Sequence, residues 1–380
     1  MTQPRDFGFG EEEQMVRDSA RKVLSENFGI EKLRKLVAAD HRQAYETDVP
    51  PVNYDENLWR QMVELGWTSL AVPENAGGAG MKMIAVAALA EEAGRAALPS
   101  PLIATLSATC VLREASLENA KPWLERIVEG QSATLAITNA EGSWEVDTDV
   151  TAKAAGDGVV LDGTAAFVQD ARKASFFVVS AAADGGIGLY AVPADTPGVT
   201  IRPDHIVDLT RDQARVELKQ VRVARENVVA AAGKGADVLS RALPSLLTIV
   251  AADMCGAGEW QLQATTEYAR VRRQFDHELG YFQAVKHPLV NMMLDVDRAR
   301  SLVYAAACAI DTEPGRAEYY ARMAKSAASD MAAFCSGRSV QLHGGIGFTW
   351  ECDVHLYFKR QKHNQMLLGD GIYQRAALKL

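Results

Sequence analysis

Apolar residues recur at helical spacing through the first third of the chain. Between Glu11 and Asn27 the stripe is Met15, Val16, Val23 and Leu24, and the segments 58–65 and 81–95 share its period. Gly77-Gly78-Ala79-Gly80 reads as a loop, and Pro99 and Pro101 punctuate the next turn, after which helices fit 102–112 and 117–128. From about residue 130 the period changes. Val159-Val160-Leu161 and the run from Phe176 to Val179 are short and β-prone. From Ala214 to Leu218, Val216 and Leu218 fall on one face and Arg215 and Glu217 on the other. Gly156-Asp157-Gly158, Gly185-Gly186 and the stretch from Pro193 to Gly198 supply turns. This spacing predicts a small, mostly antiparallel sheet or barrel. From about residue 230 the helical pattern returns, dense in alanine and leucine, over about 236–274, 282–310 and 316–343. Pro244 falls near the start of the first of these, where proline is best tolerated. Long apolar-faced helices with short connections predict an antiparallel four-helix bundle. The expected class is α+β: an N-terminal helical domain over 1–129, a middle β domain (barrel or sandwich) over 130–229, and a C-terminal helical bundle over 230–380.

Charge and composition narrow the partners. The chain has 380 residues with 49 acidic against 40 basic side chains, a formal net charge of −9, and no long basic run. Nucleic acid and anionic membranes are therefore not expected partners. The five cysteines are odd in number, widely spaced and without CxxC, which fits reduced thiols in the cytoplasm. The seven histidines show no metal-ligand spacing, so no metal site is predicted. Residues 1–10 are polar and lack a basic segment followed by an apolar stretch, unlike a signal peptide. The longest apolar stretch, Leu243 to Ala252, is interrupted by Pro244, Ser245 and Thr248 and reads as too short to span a bilayer.

Two stretches of the third zone carry a specific pattern. The first is YARVRRQF from Tyr268 to Phe275, followed by GYFQAVKH from Gly280 to His287. The second is QLHGGIGFTWE from Gln341 to Glu351, followed by HLYFKR from His355 to Arg360. They resemble the YAxxRxQF, FQAxxH and QxxGGxGFTxE signatures of the acyl-CoA dehydrogenase family, and the helix–sheet–helix order extends the resemblance over essentially the whole chain. The resemblance implies FAD. A pyrophosphate needs a fixed cation and close backbone approach. Arg272 would supply the cation, Gln274 and Phe275 would bind and pack the adenosine half, and Gly344 and Gly345 would admit the backbone, with Gln341 one turn earlier. Phe282 and Gln283 open the FQAxxH helix and join the cofactor set. In the family these two motifs meet across a subunit interface, which implies a homo- or hetero-oligomer, a dimer or tetramer. The family also implies an acyl-CoA substrate and an electron-transfer flavoprotein-like acceptor. Taken alone, Arg272 also fits a cation at a helix C-terminus, and Gly344-Gly345 an ordinary helix stop.

In the middle zone, Leu135 through Ser143 resembles the family's LTEP…GSD segment, so Thr138 would approach the flavin and Ser143 the acyl-CoA. Asn139 stands where the family usually has Glu, and Trp144 where it usually has Asp. Gly163 to Ala171 resembles the strand GxKxWITNG, with Phe167, Val168 and Gln169 at the WIT positions. Phe167 fits stacking near the flavin and a plain sheet-core aromatic about equally, and Gln169 in place of Thr changes the hydrogen-bond partner near flavin N5.

The family reaction removes two hydrogens from adjacent carbons of an acyl thioester. A carboxylate takes the α-proton while the β-hydrogen leaves as hydride to the flavin. Most of the family carries that carboxylate as Glu in a YEGT segment; here Gln365 to Gly371 reads QMLLGDG, with Leu368 at the Glu position. A branch carries it on the first long bundle helix. Ten residues before Gly256, that position is Leu246, and Leu247 stands for a substrate-side Arg. Leucine cannot take a proton. Asp253, seven residues beyond Leu246 on the same helix face, is the first substitute base; a buried aspartate satisfied by a neighbouring helix explains it slightly better. Asp370 is the second, against a turn residue between two glycines.

The leading reading is an FAD-dependent acyl-CoA dehydrogenase that uses a non-standard base or works as one subunit of a hetero-oligomer. Family members acting on bulky steroid side-chain thioesters pair two unlike chains, one without the base. The alternatives are a same-fold flavin enzyme of nitroalkane oxidase-like or flavin monooxygenase-like chemistry, and a non-catalytic FAD- or acyl-CoA-binding partner.

Overall fold

A computed structural model describes residues 7–38 and 45–378. The chain divides into two compact units. Residues 1–39, 82–98 and 247–380 form the first, and residues 40–81 and 99–246 the second.

The first unit is helical. It holds α1 (Glu11–Asn27), α2 (Ile30–Ala38), α4 (Met83–Arg95), most of α7 (Gly235–Val271), α8 (Gln283–Thr312), α9 (Pro314–His343), α10 (Val354–Met366) and α11 (Gly371–Ala377); α3 (Glu56–Glu64), α5 (Leu102–Glu114) and α6 (Leu117–Val128) belong to the second unit. The helical spans expected over 11–27 and 117–128 are found with those bounds, and the three long helices agree within a few residues. Helix α1 begins on three glutamates, whose charge suits the helix N-terminus, and Glu13 Oε2 accepts the Gly10 N–H at 2.9 Å. Pro244 lies inside α7, beyond its first turn, so the helix runs through it with one backbone hydrogen bond fewer than expected. The apolar part of α7 is also longer than the sequence reading allowed. It has the length and composition to cross a bilayer, but Leu246, Leu247, Ile249, Ala252, Met254 and Cys255 are buried within protein.

Small residues set the helix packing. A Cβ on Gly256 would lie 1.8 Å from Glu91 O, and one on Gly94 would lie 2.0 Å from Asp253 O. The backbones of α4 and α7 therefore touch, which explains why α4 is buried from Met83 to Gly94. The carboxylates drawn into this packing are paired. Glu91 accepts from Arg300 Nε at 2.6 Å and Tyr304 Oη at 2.7 Å, and Glu92 accepts from Arg21 at 2.7 Å. Burial pushes the Glu92 carboxyl up, while the Arg21 guanidinium opposes the shift.

The second unit carries the sheet: β1 (Ala133–Ala136), β2 (Thr151–Ala155), β3 (Gly158–Gln169), β4 (Phe176–Ala183), β5 (Gly186–Pro193), β6 (Val199–Pro203), β7 (Gln213–Val223) and β8 (Val228–Ala230). The strand order is β6-β7-β3-β2-β4-β5-β8, with β1 on β4; β1–β4 and β2–β4 are parallel, and the other pairings are antiparallel. Its apolar face buries Leu161, Val168, Phe177, Val179, Val192 and Val216. The short runs seen in the sequence extend into longer strands, from Phe176 to Ala183 for one of them, because ladder pairing carries residues that a propensity reading leaves out.

Candidate functional site

The two signature stretches of the third zone touch inside the first unit at one pair of rings. Tyr268, near the end of α7, stacks on His343 at the end of α9 with ring centroids 4.3 Å apart. One turn earlier, Thr265 and Ser339 share a hydroxyl–hydroxyl bond of 2.7 Å. Burial lowers the His343 pKa, which keeps the ring neutral against Tyr268. Beyond Tyr268 the chain turns through the small hairpin β9 (Arg273–Gln274) and β10 (His277–Glu278), whose two central residues, Phe275 and Asp276, both have positive φ. The hairpin is exposed, Phe275 being 84% accessible. Phe282, which precedes α8, meets the Phe275 ring edge-on with centroids 6.2 Å apart, and Gln283 opens α8 in an exposed position. Gln274 donates to the neighbouring Arg273 carbonyl at 2.8 Å.

Three arginines of this stretch differ in pairing. Arg270 meets Glu267 and Arg273 meets Glu278, whereas Arg272 has no carboxylate partner among the described residues. An exposed guanidinium without an acid partner fits an anionic ligand. At the end of α9, Gln341 O receives the Gly344 N–H, and Gly344 has φ +67°. A Cβ on Gly344 or Gly345 would meet nothing within 4 Å. Packing within the chain thus does not require glycine at 345, and the backbone there is open to a ligand. The cation, the exposed aromatic and the open backbone match what a dinucleotide's charged and adenine parts need.

In the second unit the candidate residues cluster at one end of β3. The β3–β7 register shifts between Ala165 and Val168, and the bulge turns Phe167 outward with φ +55° and 43% exposure. This resolves the two readings of Phe167: it is not part of the sheet core. Its ring lies over Gly142, where a Cβ would sit 3.2 Å from it. Thr138 accepts the Ala166 N–H at 2.9 Å through its carbonyl, which ties its segment to β3. Gln169 donates to Phe167 O at 3.1 Å and to Gln213 at 3.0 Å. Asn139, in place of the family's usual Glu, organises the next loop. Its side chain donates to Asp147 at 2.9 Å and accepts the Ser143 N–H at 3.0 Å. The Ser143 hydroxyl accepts from Glu145 N at 3.2 Å.

The carboxylates considered as bases are both engaged. Asp253 is fully buried and held by Arg360, with Nε–Oδ1 at 3.0 Å and Nη2–Oδ2 at 2.5 Å, and by Asn364 Nδ2 at 2.6 Å. Protonating it would break this clamp, so its geometry is that of an ion-pair anchor between α7 and α10. Asp370 caps α11 by accepting Tyr373 N at 2.8 Å. Leu246 and Leu247 are buried, and Leu368 sits in a turn with φ +58°. The sequence reading passed over Lys325, a fully buried lysine on α9 that touches this turn. Its signal was one charge on an alanine face with Ala321, Ala324 and Ala328.

The family descriptions "Acyl-CoA dehydrogenase, N-terminal domain" and "Acyl-CoA dehydrogenase, C-terminal domain" match residues 10–131 and 233–379. The chain belongs to the acyl-CoA dehydrogenase family. Members of the family are FAD-dependent oxidoreductases acting on CH–CH bonds. Acyl-CoA dehydrogenase IpdE2 of Mycobacterium tuberculosis is 32% identical over 359 residues, covering 94% of this chain and 93% of that protein. Among solved structures, the ChsE4–ChsE5 complex from Mycobacterium tuberculosis matches with TM-score 0.86 and 27% identity over 98% of both chains. The Tcur3481–Tcur3483 steroid ACAD matches with TM-score 0.85 and 28% identity over 98% of this chain and 97% of that one.

Proposed function

We propose that this acyl-CoA dehydrogenase family member binds FAD and acts on a bulky acyl-CoA thioester as one subunit of a hetero-oligomer whose other chain supplies the base. The observation that carries the reading is the contrast between the available Arg272 and Gly344–Gly345 surface and the leucine at position 368. Two of the similar structures are named as assemblies of two different chains, and one of them as a steroid ACAD, which supports both the pairing and the substrate class.

In this reading Arg272 holds the pyrophosphate, Gln274, Phe275 and Phe282 frame the adenosine side with Gln283, and Gln341, Gly344 and Gly345 line the backbone approach. Thr138, Phe167 and Gln169 face the flavin ring and Ser143 the thioester. FAD, when bound, accepts the β-hydrogen as hydride. The residues of this chain bind and orient; Asp253 anchors the bundle through Arg360, Asp370 caps a helix, and neither takes the α-proton. In the three-part division 1–129, 130–229 and 230–380, the residues given these roles fall in the second and third parts, and an electron-transfer flavoprotein-like acceptor fits the family chemistry.

The test is to purify the chain alone, record its visible spectrum and add acyl-CoA thioesters with an artificial electron acceptor. The expected protein is yellow and inert alone, and bleaches with a bulky thioester once a related base-bearing chain is co-expressed. Full bleaching by the lone chain would sink the second-subunit reading, and a protein that stays colourless in both preparations would sink FAD binding.

A further inference from the structure

The turn that holds Leu368 is fixed far more firmly than a surface connection requires. Leu368 has φ +58°, a conformation that penalises a side chain, and Gly369 follows at +94°. Neighbouring helices hold three carbonyls in and just before the turn. Lys325 Nζ donates to Gln365 O at 3.1 Å and Gly369 O at 2.9 Å, and Gln374 Nε2 donates to Leu368 O at 2.5 Å. The remaining Lys325 contact is Ser329 Oγ at 3.2 Å. Asp370 Oδ1 takes the Tyr373 N–H and closes the far side.

Burying an ammonium is unfavourable unless each of its protons finds an acceptor. Lys325 meets that condition with the Ser329 hydroxyl and two carbonyls on either side of Leu368, Gln365 at the end of α10 and Gly369 in the turn. A buried charge spent on a turn, around one residue in a strained conformation, is how folds hold a side chain at a set place. The side chain held here cannot exchange a proton.

We propose that Lys325 is a positioning residue. It pins the backbone of residues 365–369, so that whatever side chain stands at 368 is presented in a fixed place, and the turn keeps its geometry for a carboxylate although Leu368 fills it. The claim about the carboxylate rests on the acyl-CoA dehydrogenase reading above; the claim about the pin does not.

The experiment uses the full chain with its flavin and two independent readouts. Amide hydrogen exchange is followed over 366–371 in the unaltered chain and in Lys325→Met. The loss of a buried charge-assisted contact should accelerate exchange there by roughly ten- to hundredfold and leave the β-sheet amides unchanged. In parallel, Leu368→Glu is assayed for flavin bleaching by acyl-CoA thioesters, alone and combined with Lys325→Met or Lys325→Arg. Leu368→Glu should gain bleaching, Lys325→Met should remove most of that gain through kcat rather than KM, and Lys325→Arg should restore part of it. If Lys325→Met does not fold, Lys325→Gln, which keeps one donor, should show an intermediate exchange rate. Unchanged exchange over 366–371 in the lysine variants overturns the pin. Faster exchange without any bleaching by Leu368→Glu leaves the pin standing and overturns the base-bearing turn.

Discussion

Two arginines of the first unit meet opposite conditions. Arg360 is wholly buried, with its guanidinium spread over both oxygens of Asp253 and Asn364 on the same oxygen. Arg272 stands exposed with no acid beside it among the described residues, although its neighbours Arg270 and Arg273 each have one. A cation whose valences are filled inside the chain contributes to folding. A cation left open at the surface is available to something else. The same distinction separates Asp253, which looked like a base in the sequence, from the role its surroundings leave it.

The comparison breaks most visibly at the clamp. Arg360→Leu leaves Asp253 buried without its cation and should lower stability by about 3–5 kcal/mol, read from urea unfolding midpoints. The double change Asp253→Leu with Arg360→Met should recover most of the loss, as removal of both charges spares the desolvation. A neutral Arg360→Leu would refute the clamp. Arg272→Ala should leave unfolding of the flavin-free chain unchanged and weaken FAD binding roughly ten- to hundredfold, measured by flavin fluorescence titration. Equal loss of stability in both arginine variants would erase the contrast.

Smaller effects sharpen it. Gly256→Ala must move helix backbones that already touch at Glu91 O, and about 1–3 kcal/mol of destabilisation is expected from calorimetry. The gentlest test is pH. Burial pushes Lys325 down to about 7 from its ordinary 10.5, with Asp370 opposing the shift. Between those values the unfolded chain holds the proton that the folded chain has released. Stability relative to Lys325→Met should therefore be flat below pH 7 and climb toward pH 10.5, by at most about 1.4 kcal/mol per pH unit. A difference that falls over this interval would reverse the assignment.

Much of this was legible in the sequence. Helical period and alanine density located α1, α6 and the three long bundle helices, because those elements carry a continuous apolar stripe. The helix α2 and strand β1 escaped, being too short to show a period of their own. Arg272 and Gly345 were found by pattern, and the structure adds that one has no acid partner among the described residues and the other is unconfined. Asp253 was singled out for being acidic in an apolar helix, but its partner lies more than a hundred positions away on α10, and no local period links the two. Lys325 was missed for a similar reason: two of its three acceptors are backbone carbonyls distant in sequence, which carry no sequence signature.

The first unit is also discontinuous, and this orders events in time. Helix α4 is buried from Met83 to Gly94, and it shares that unit with the chain from Leu247 onward. On the ribosome that apolar helix emerges early and must wait, covered only by α1 through contacts such as Arg21–Glu92, until the long helices have been made. The sheet, whose strands all lie between Ala133 and Ala230, can close in the interval. A nascent chain stalled before Leu247 would therefore present α4 to chaperones beside an already folded second unit.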